Sequence, residues 1–243
     1  MRILVCDGLH ESGLALFDAA QGISVDAHEQ LAREELKARI HEYDAMVIRS
    51  RTRVTAELLE HASQLKVIGR AGTGVDNIDI KSASARGILV MNTPGANSMA
   101  AAEHTLALML SLARYVPQAN QSMRSGHWDK KHFLGTELYG QTLGIIGFGK
   151  IGSIVADRAL GMKMEVLCHD PYVLAEAAAI HGVELVPLND LLGRSDFITL
   201  HTPLTNETRN VINRATLSKM KAGVRIINCA RGGLIDEEAL YEA

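Results

Sequence analysis

The stretch GIIGFGKIG sets Gly147, Gly149 and Gly152 in a G-x-G-x-x-G spacing, directly after an apolar run and at the mouth of a helix-like segment. In that context the first glycine permits a tight turn, the second lets backbone approach a pyrophosphate, and the third lets helix and strand pack closely. The phosphates would then rest on the N–H groups and positive end of the following helix. Asp170 closes the next apolar run, KMEVLCHD, where a carboxylate can accept hydrogen bonds from an adenosine ribose. Pro171 follows it, with no neighbouring Arg or Lys to offset a 2′-phosphate, so NAD is the expected cofactor rather than NADP. The competing reading is a flavodoxin-like sheet in which the glycines only make a turn.

Arginines cluster at other run ends. RSRTRVT puts Arg49, Ser50, Arg51 and Arg53 just beyond the apolar AMVI, and GRAGTGVDN puts Arg70 before a glycine-rich turn. Guanidinium forks match carboxylate and phosphate geometry, so these clusters point to a small anionic substrate. Arg51 and Arg53 also fit a solvated loop tip. Arg231, after VRIINCA, is placed to hold a substrate carboxylate or polarise a carbonyl beside the nicotinamide. His201 and Thr202 end another run of the same half and could touch the cofactor, whereas His104, on a long apolar helix, reads as a buried histidine.

The elements that must position these groups alternate along the chain. RILVC, ISVDA, AMVIRS, LKVIGRAG and GILVMNT are strand-like, and the helix-like ESGLALFDAA, LAREELKARI and TAELLEHA separate the first four, the cadence of βα units and a parallel sheet. Pro94-Gly95 punctuates this series, so a first domain over 1–95 is expected. NSMAAAEHTLALMLSLARYV then reads as a long helix, apolar on nearly every face, which requires burial in its own core or against a second subunit. From Gln141 the cadence restarts and runs through VRIINCA. The fold class is α/β with two doubly wound parallel-sheet domains, a flavodoxin-like one at 1–95 and a Rossmann-like one at 96–243. An aliphatic composition, 47% hydrophobic with only 4% aromatic, suits such sheets.

A net charge of −3 excludes the basic footprint of nucleic-acid or anionic-lipid binding, and no apolar run is long enough to span a membrane. Cys6, Cys168 and Cys229 lie far apart without metal-ligand spacing, so reduced structural thiols, no metal and a cytoplasmic location are expected.

Taken together, GRAGTGVDN, ILVMNTPGANS, AAEHT, LGIIGFGKIG, HTPLTNET and VRIINCARGGLIDEEAL resemble the NAD-dependent D-2-hydroxyacid dehydrogenases, most closely the branch acting on 3-phospho-D-glycerate. The resemblance implies a substrate domain and a cofactor domain, with dimerisation, as a homodimer or homotetramer, through a helical arm near 98–130. It implies that Arg49, Ser50, Arg70 and Asn97 hold substrate, and that Thr73, Lys150, Ile151, Asp170, Thr202, Cys229, Ala230 and Arg231 line the dinucleotide. Arg231 also matches the family's catalytic arginine. Family members continue through an acidic residue and a histidine that removes the hydroxyl proton. The resemblance therefore implies a fragment whose second sheet is incomplete at its C-terminal end and which alone turns over little. Other D-2-hydroxyacid dehydrogenases and a non-catalytic NAD-sensing dimer are the alternative readings.

Overall fold

The computed structural model describes residues 1–243, and the backbone gathers into two compact units, Met1–Asn97 and Ser98–Ala243. The change of unit falls just beyond the Pro94-Gly95 punctuation.

In the first unit, strands β1 (Arg2–Val5), β2 (Ser24–Ala27), β3 (Ala45–Ile48), β4 (Val67–Arg70) and β5 (Leu89–Asn92) are separated by helices α1 (Glu11–Asp18), α2 (Arg33–Arg39), α3 (Ala56–Glu60) and α4 (Ile80–Ala85). All strand pairs are parallel, in the order β2-β1-β3-β4-β5. This is the flavodoxin-like order, and its topological switch point lies between β1 and β3. Side chains alternate across a strand, so Leu4, Cys6, Met46, Ile48 and Ile68 share one face and pack with Leu36, Ile40, Leu58, Leu59 and Ala83. The other face is thinner: α1 buries no residue, and Leu89 and Met91 stay more than half exposed.

Helix α4 is absent from the sequence expectations because only Ala83 of it is buried, leaving no apolar period to read. Its signals are at its ends. The Asp79 carboxylate accepts from Ser82 N–H at 2.9 Å. Gly87 at φ +71° closes a double reverse turn, with Ile88 N–H donating to Ala83 and Gly87 N–H to Ser84.

The second unit opens with α5 (Ser98–Arg114) and α6 (Val116–Arg124). Tyr115 at φ 55° and Pro117 break the one helix from the other. Along α5, Ala102, Thr105, Met109 and Ala113 are buried, the three- and four-residue spacing of one helix face. Leu108, Leu110 and Leu112 remain about two-fifths exposed. His104 is exposed rather than buried, because it stands beside this stripe and not in it.

The sheet then alternates β6 (Thr142–Ile146), α7 (Lys150–Gly161), β7 (Glu165–His169), α8 (Ala175–Ile180), β8 (Glu184–Leu185), α9 (Leu188–Arg194), β9 (Phe197–Leu200), α10 (Arg214–Leu217), β10 (Arg225–Asn228) and α11 (Glu237–Glu242). The strand order is β10-β9-β6-β7-β8, all parallel, which is the Rossmann order with its switch point between β6 and β9. Every residue of β6 is buried, as befits a central strand covered on both faces. No helix is long and apolar enough to cross a membrane.

Candidate functional site

Register aligns the chemistry of the second unit along one sheet edge. His169 pairs with Ile146, Ile146 with Leu200, and Leu200 with Asn228. The next residues, Asp170, Gly147, His201 and Cys229, therefore form a row at the carboxyl ends of adjacent strands, where open α/β sheets bind ligands.

The glycines have distinct geometric reasons. Gly147 has φ +95°, and a Cβ there would lie 2.7 Å from the His201 carbonyl carbon, so this turn needs both the left-handed backbone and the missing side chain. A Cβ on Gly152 would stand 2.2 Å from Gly147 O, so α7 can lie against the turn only without one. Gly149 faces open space. It is the N-cap of α7 and supplies no side-chain cap, and no acidic residue occupies the first turn. The first N–H groups of α7, from Lys150, Ile151 and Gly152, thus keep their donors for an anion such as a pyrophosphate.

Asp170 accepts Phe148 N–H at 2.8 Å on one carboxylate oxygen and Tyr172 N–H at 2.9 Å on the other. Its charge is fixed at the end of β7, with lone pairs left for ribose hydroxyls. Cys168, two residues earlier, is buried, and burial together with the Asp170 charge pushes its thiol up to about 11. Cys6 is pushed up to about 12 by burial and the neighbouring Asp7. Both stay protonated and unreactive near neutrality.

His201 lies after β9, its Nε2 3.0 Å from Thr199 Oγ1, and burial pushes its pKa from 6.5 down to about 4. The folded state therefore refuses a proton that the unfolded chain accepts below pH 6.5. Its stabilising contribution is complete above that pH and is lost as pH falls toward 4, on the order of 3 kcal/mol in all. Denaturant melts between pH 7 and 4 should show a shallower acid loss for His201→Gln than for the unaltered chain. Parallel curves would refute the shift.

After β10 the chain turns at once, and Asn228 spans the turn. Its Oδ1 accepts from Ala230 N–H at 3.0 Å and its Nδ2 donates to Arg231 O at 2.8 Å, while Arg231 Nη1 donates to Ala230 O at 2.8 Å. Cys229 is half-buried in the same turn.

In the first unit, Arg49 and Ser50 follow β3 and are exposed. A cleft of about 430 Å³ opens at the switch-point end of this sheet, lined among others by Asp7, Arg33, Leu36, Arg51, Thr52 and Arg53. Arg51 and Arg53 thus line a cavity, and Arg33, which sequence reasoning missed, joins them while paired with Glu57. Arg70 ends β4 and folds back under its own loop: a Cβ on Gly72 would fall 1.4 Å from Arg70 Nη1, and Arg70 Nε is buried without a hydrogen-bond partner. Thr73 Oγ1 donates to Asn97 Oδ1 at 2.7 Å, and Asn92 Nδ2 donates to Thr73 O at 2.7 Å. Among the expected cofactor residues, Thr73 alone belongs to the first unit. No group of three His, Cys, Asp or Glu converges as a metal site.

Residues 106–243 match the D-isomer specific 2-hydroxyacid dehydrogenase, NAD binding domain, family. The chain is 50% identical over 244 aligned residues to D-3-phosphoglycerate dehydrogenase of Methanocaldococcus jannaschii, covering 100% of this chain and 46% of that protein. It is 49% identical over 242 residues to the protein of the same name from Synechocystis, covering 100% of this chain and 43% of the relative. The chain thus spans less than half the length of these curated relatives. Among solved structures, D-lactate dehydrogenase from Aquifex aeolicus, complexed with NAD and lactic acid, superposes with a TM-score of 0.90 at 32% identity, covering 99% of this chain and 72% of that one.

Proposed function

Because the chain belongs to the D-isomer specific 2-hydroxyacid dehydrogenase family, we propose that it is part of an enzyme that oxidises 3-phospho-D-glycerate to 3-phosphohydroxypyruvate, a step of serine biosynthesis. The observation that carries this reading is the dinucleotide cradle at Gly147–Gly152 in the second unit, and an arginine-lined cleft of about 430 Å³ within the first unit supports an anionic substrate.

Bound NAD supplies the hydride acceptor. The uncapped first turn of α7 holds the pyrophosphate, and the Asp170 carboxylate holds the adenosine ribose and repels a 2′-phosphate. Thr73, Thr202, Cys229 and Ala230 complete the lining. Arg231, carried at a fixed strand end by the Asn228 turn, binds the substrate carboxylate and orients the carbon that loses hydride. Arg49, Ser50, Arg70 and Asn97 hold the remaining anionic and hydroxyl groups, and Arg51 and Arg53 give the phosphate a cationic wall. His201 is a poor proton acceptor at a pKa of about 4, so its part is to shape the turn beside Gly147.

The exposed Leu108, Leu110, Leu112 and Trp128 favour a second copy of the chain covering the α5–α6 arm, as a homodimer or a homotetramer built from it. Three free cysteines fit a reducing cytoplasm.

Calorimetric titration of the NADH-loaded chain separates the alternatives. 3-Phospho-D-glycerate should bind about 10- to 100-fold more tightly than D-glycerate or D-lactate, with the preference lost in Arg51→Ala/Arg53→Ala. Equal affinities would favour another 2-hydroxy acid. NADH binding with no acid binding at all would favour a cofactor sensor.

A further inference from the structure

The loop Arg49–Thr52 carries the first arginine cluster, yet its end residues find no partners in regular secondary structure. Two side chains from elsewhere take all four of their backbone groups. Asp7, at the end of β1 and only 6% exposed, accepts Arg49 N–H at 2.7 Å, Thr52 N–H at 3.1 Å and the Thr52 hydroxyl at 2.6 Å. Asn77 donates its Nδ2 to Arg49 O at 2.8 Å and to Thr52 O at 2.6 Å.

Asn77 closes the second arginine loop, the one that begins at Arg70. Its own backbone O accepts Val54 N–H at 2.8 Å, and Asp79 N–H donates to Val54 O at 2.8 Å, so the two loops are also zipped just beyond the carboxamide. At their other end they leave neighbouring strands in register, with Ile48 opposite Arg70 and Ala71 N–H donating to Ile48 O at 2.8 Å. The two loops are therefore tied to each other at both ends, and Asp7 and Asn77 fix the Arg49–Thr52 segment between them.

We infer that Asp7 and Asn77 are positioning residues for the anion grip: they hold the two arginine loops in mutual register so that the guanidinium groups meet one substrate. This rests on the reading of the first unit as the substrate-binding half. The chemistry of each group sets how its hold is broken. The Asn77 carboxamide nitrogen offers two donors to two carbonyls, so exchange for aspartate keeps the shape and breaks the hold. The Asp7 carboxylate meets both N–H groups on one oxygen and a hydroxyl, which can also accept, on the other, so an asparagine would re-form the set and only loss of the side chain breaks it. Displacing a binding group by about 1 Å can cost about 100-fold.

The test uses the whole chain with Asp7→Ala, Asn77→Asp, the milder Asn77→Ala, and Ile68→Val as a core truncation outside the loops. Affinity for 3-phospho-D-glycerate, affinity for NADH and amide exchange at Arg49 and Thr52 are measured on each. The loop variants should lose about 10- to 100-fold in phosphoglycerate affinity and exchange those amides about tenfold or more faster, with NADH affinity within about twofold of the unaltered chain. Ile68→Val should change none of the three. Unaltered phosphoglycerate affinity in folded loop variants, or an equal loss in Ile68→Val, overturns the inference. Should Asp7→Ala fail to fold, Asn77→Ala decides by the same criteria. If the unaltered chain binds no 2-hydroxy acid, the substrate assignment falls by itself. The exchange rates then decide the positioning role: acceleration upholds it and unaltered rates overturn it.

Discussion

Gly152→Ala is expected to remove measurable NADH binding, a loss of at least about 100-fold, and to destabilise the second unit by about 1–3 kcal/mol. The added Cβ would stand 2.2 Å from Gly147 O, a contact between backbones that no rotamer change can relieve. Helix α7 must move away from the turn, and its N–H groups leave the position in which they face the phosphates. Gly149→Ala separates the two effects. Nothing lies within 4 Å of its Cβ, so the fold should melt as before, while the methyl group intrudes where the pyrophosphate must approach. Thermal melts paired with NADH fluorescence titrations check both variants. Wild-type affinity in Gly152→Ala would show that the glycine turn is not a cofactor cradle.

Asp170 carries the second large effect. Asp170→Ala removes the ribose acceptor and frees Phe148 N–H, which the carboxylate holds at 2.8 Å. NADH affinity should fall about 10- to 100-fold, the worth of one to two charge-assisted hydrogen bonds. Affinity for NADPH should fall far less or rise, because the charge that repels the 2′-phosphate has gone. The ratio of the two dissociation constants is the readout, and an unchanged ratio would place the adenosine elsewhere.

Much of this site was legible because its signals are local. A parallel strand buried on both faces is a short aliphatic run, and TLGII followed by GFGKIG states strand, turn and helix in consecutive residues. The residues that hold the loops were not legible, since Asp7, Asn77 and Asn228 act on backbone groups of other segments or of a turn, and no period marks them. Arg33 was hidden for a similar reason: on sequence it is one charge of the solvated helix α2, and only the fold brings it to the wall that holds Arg51 and Arg53. Helix α4 escaped because it is short and nearly unburied, although Asp79 and Gly87 mark its ends. His104 misled because the apolar content of α5 hid its stripe: Ala102, Thr105, Met109 and Ala113 define the inward face and leave His104 outside it.

The proposed cofactor site requires a dinucleotide pyrophosphate to lie on the first turn of α7. Backbone amide NMR of the chain during an NADH titration tests it directly. Saturable shifts of the Lys150, Ile151 and Gly152 amides are expected, with those of Phe148 and Tyr172 responding at the Asp170 carboxylate. Saturable NADH binding that leaves these amides unmoved would contradict it.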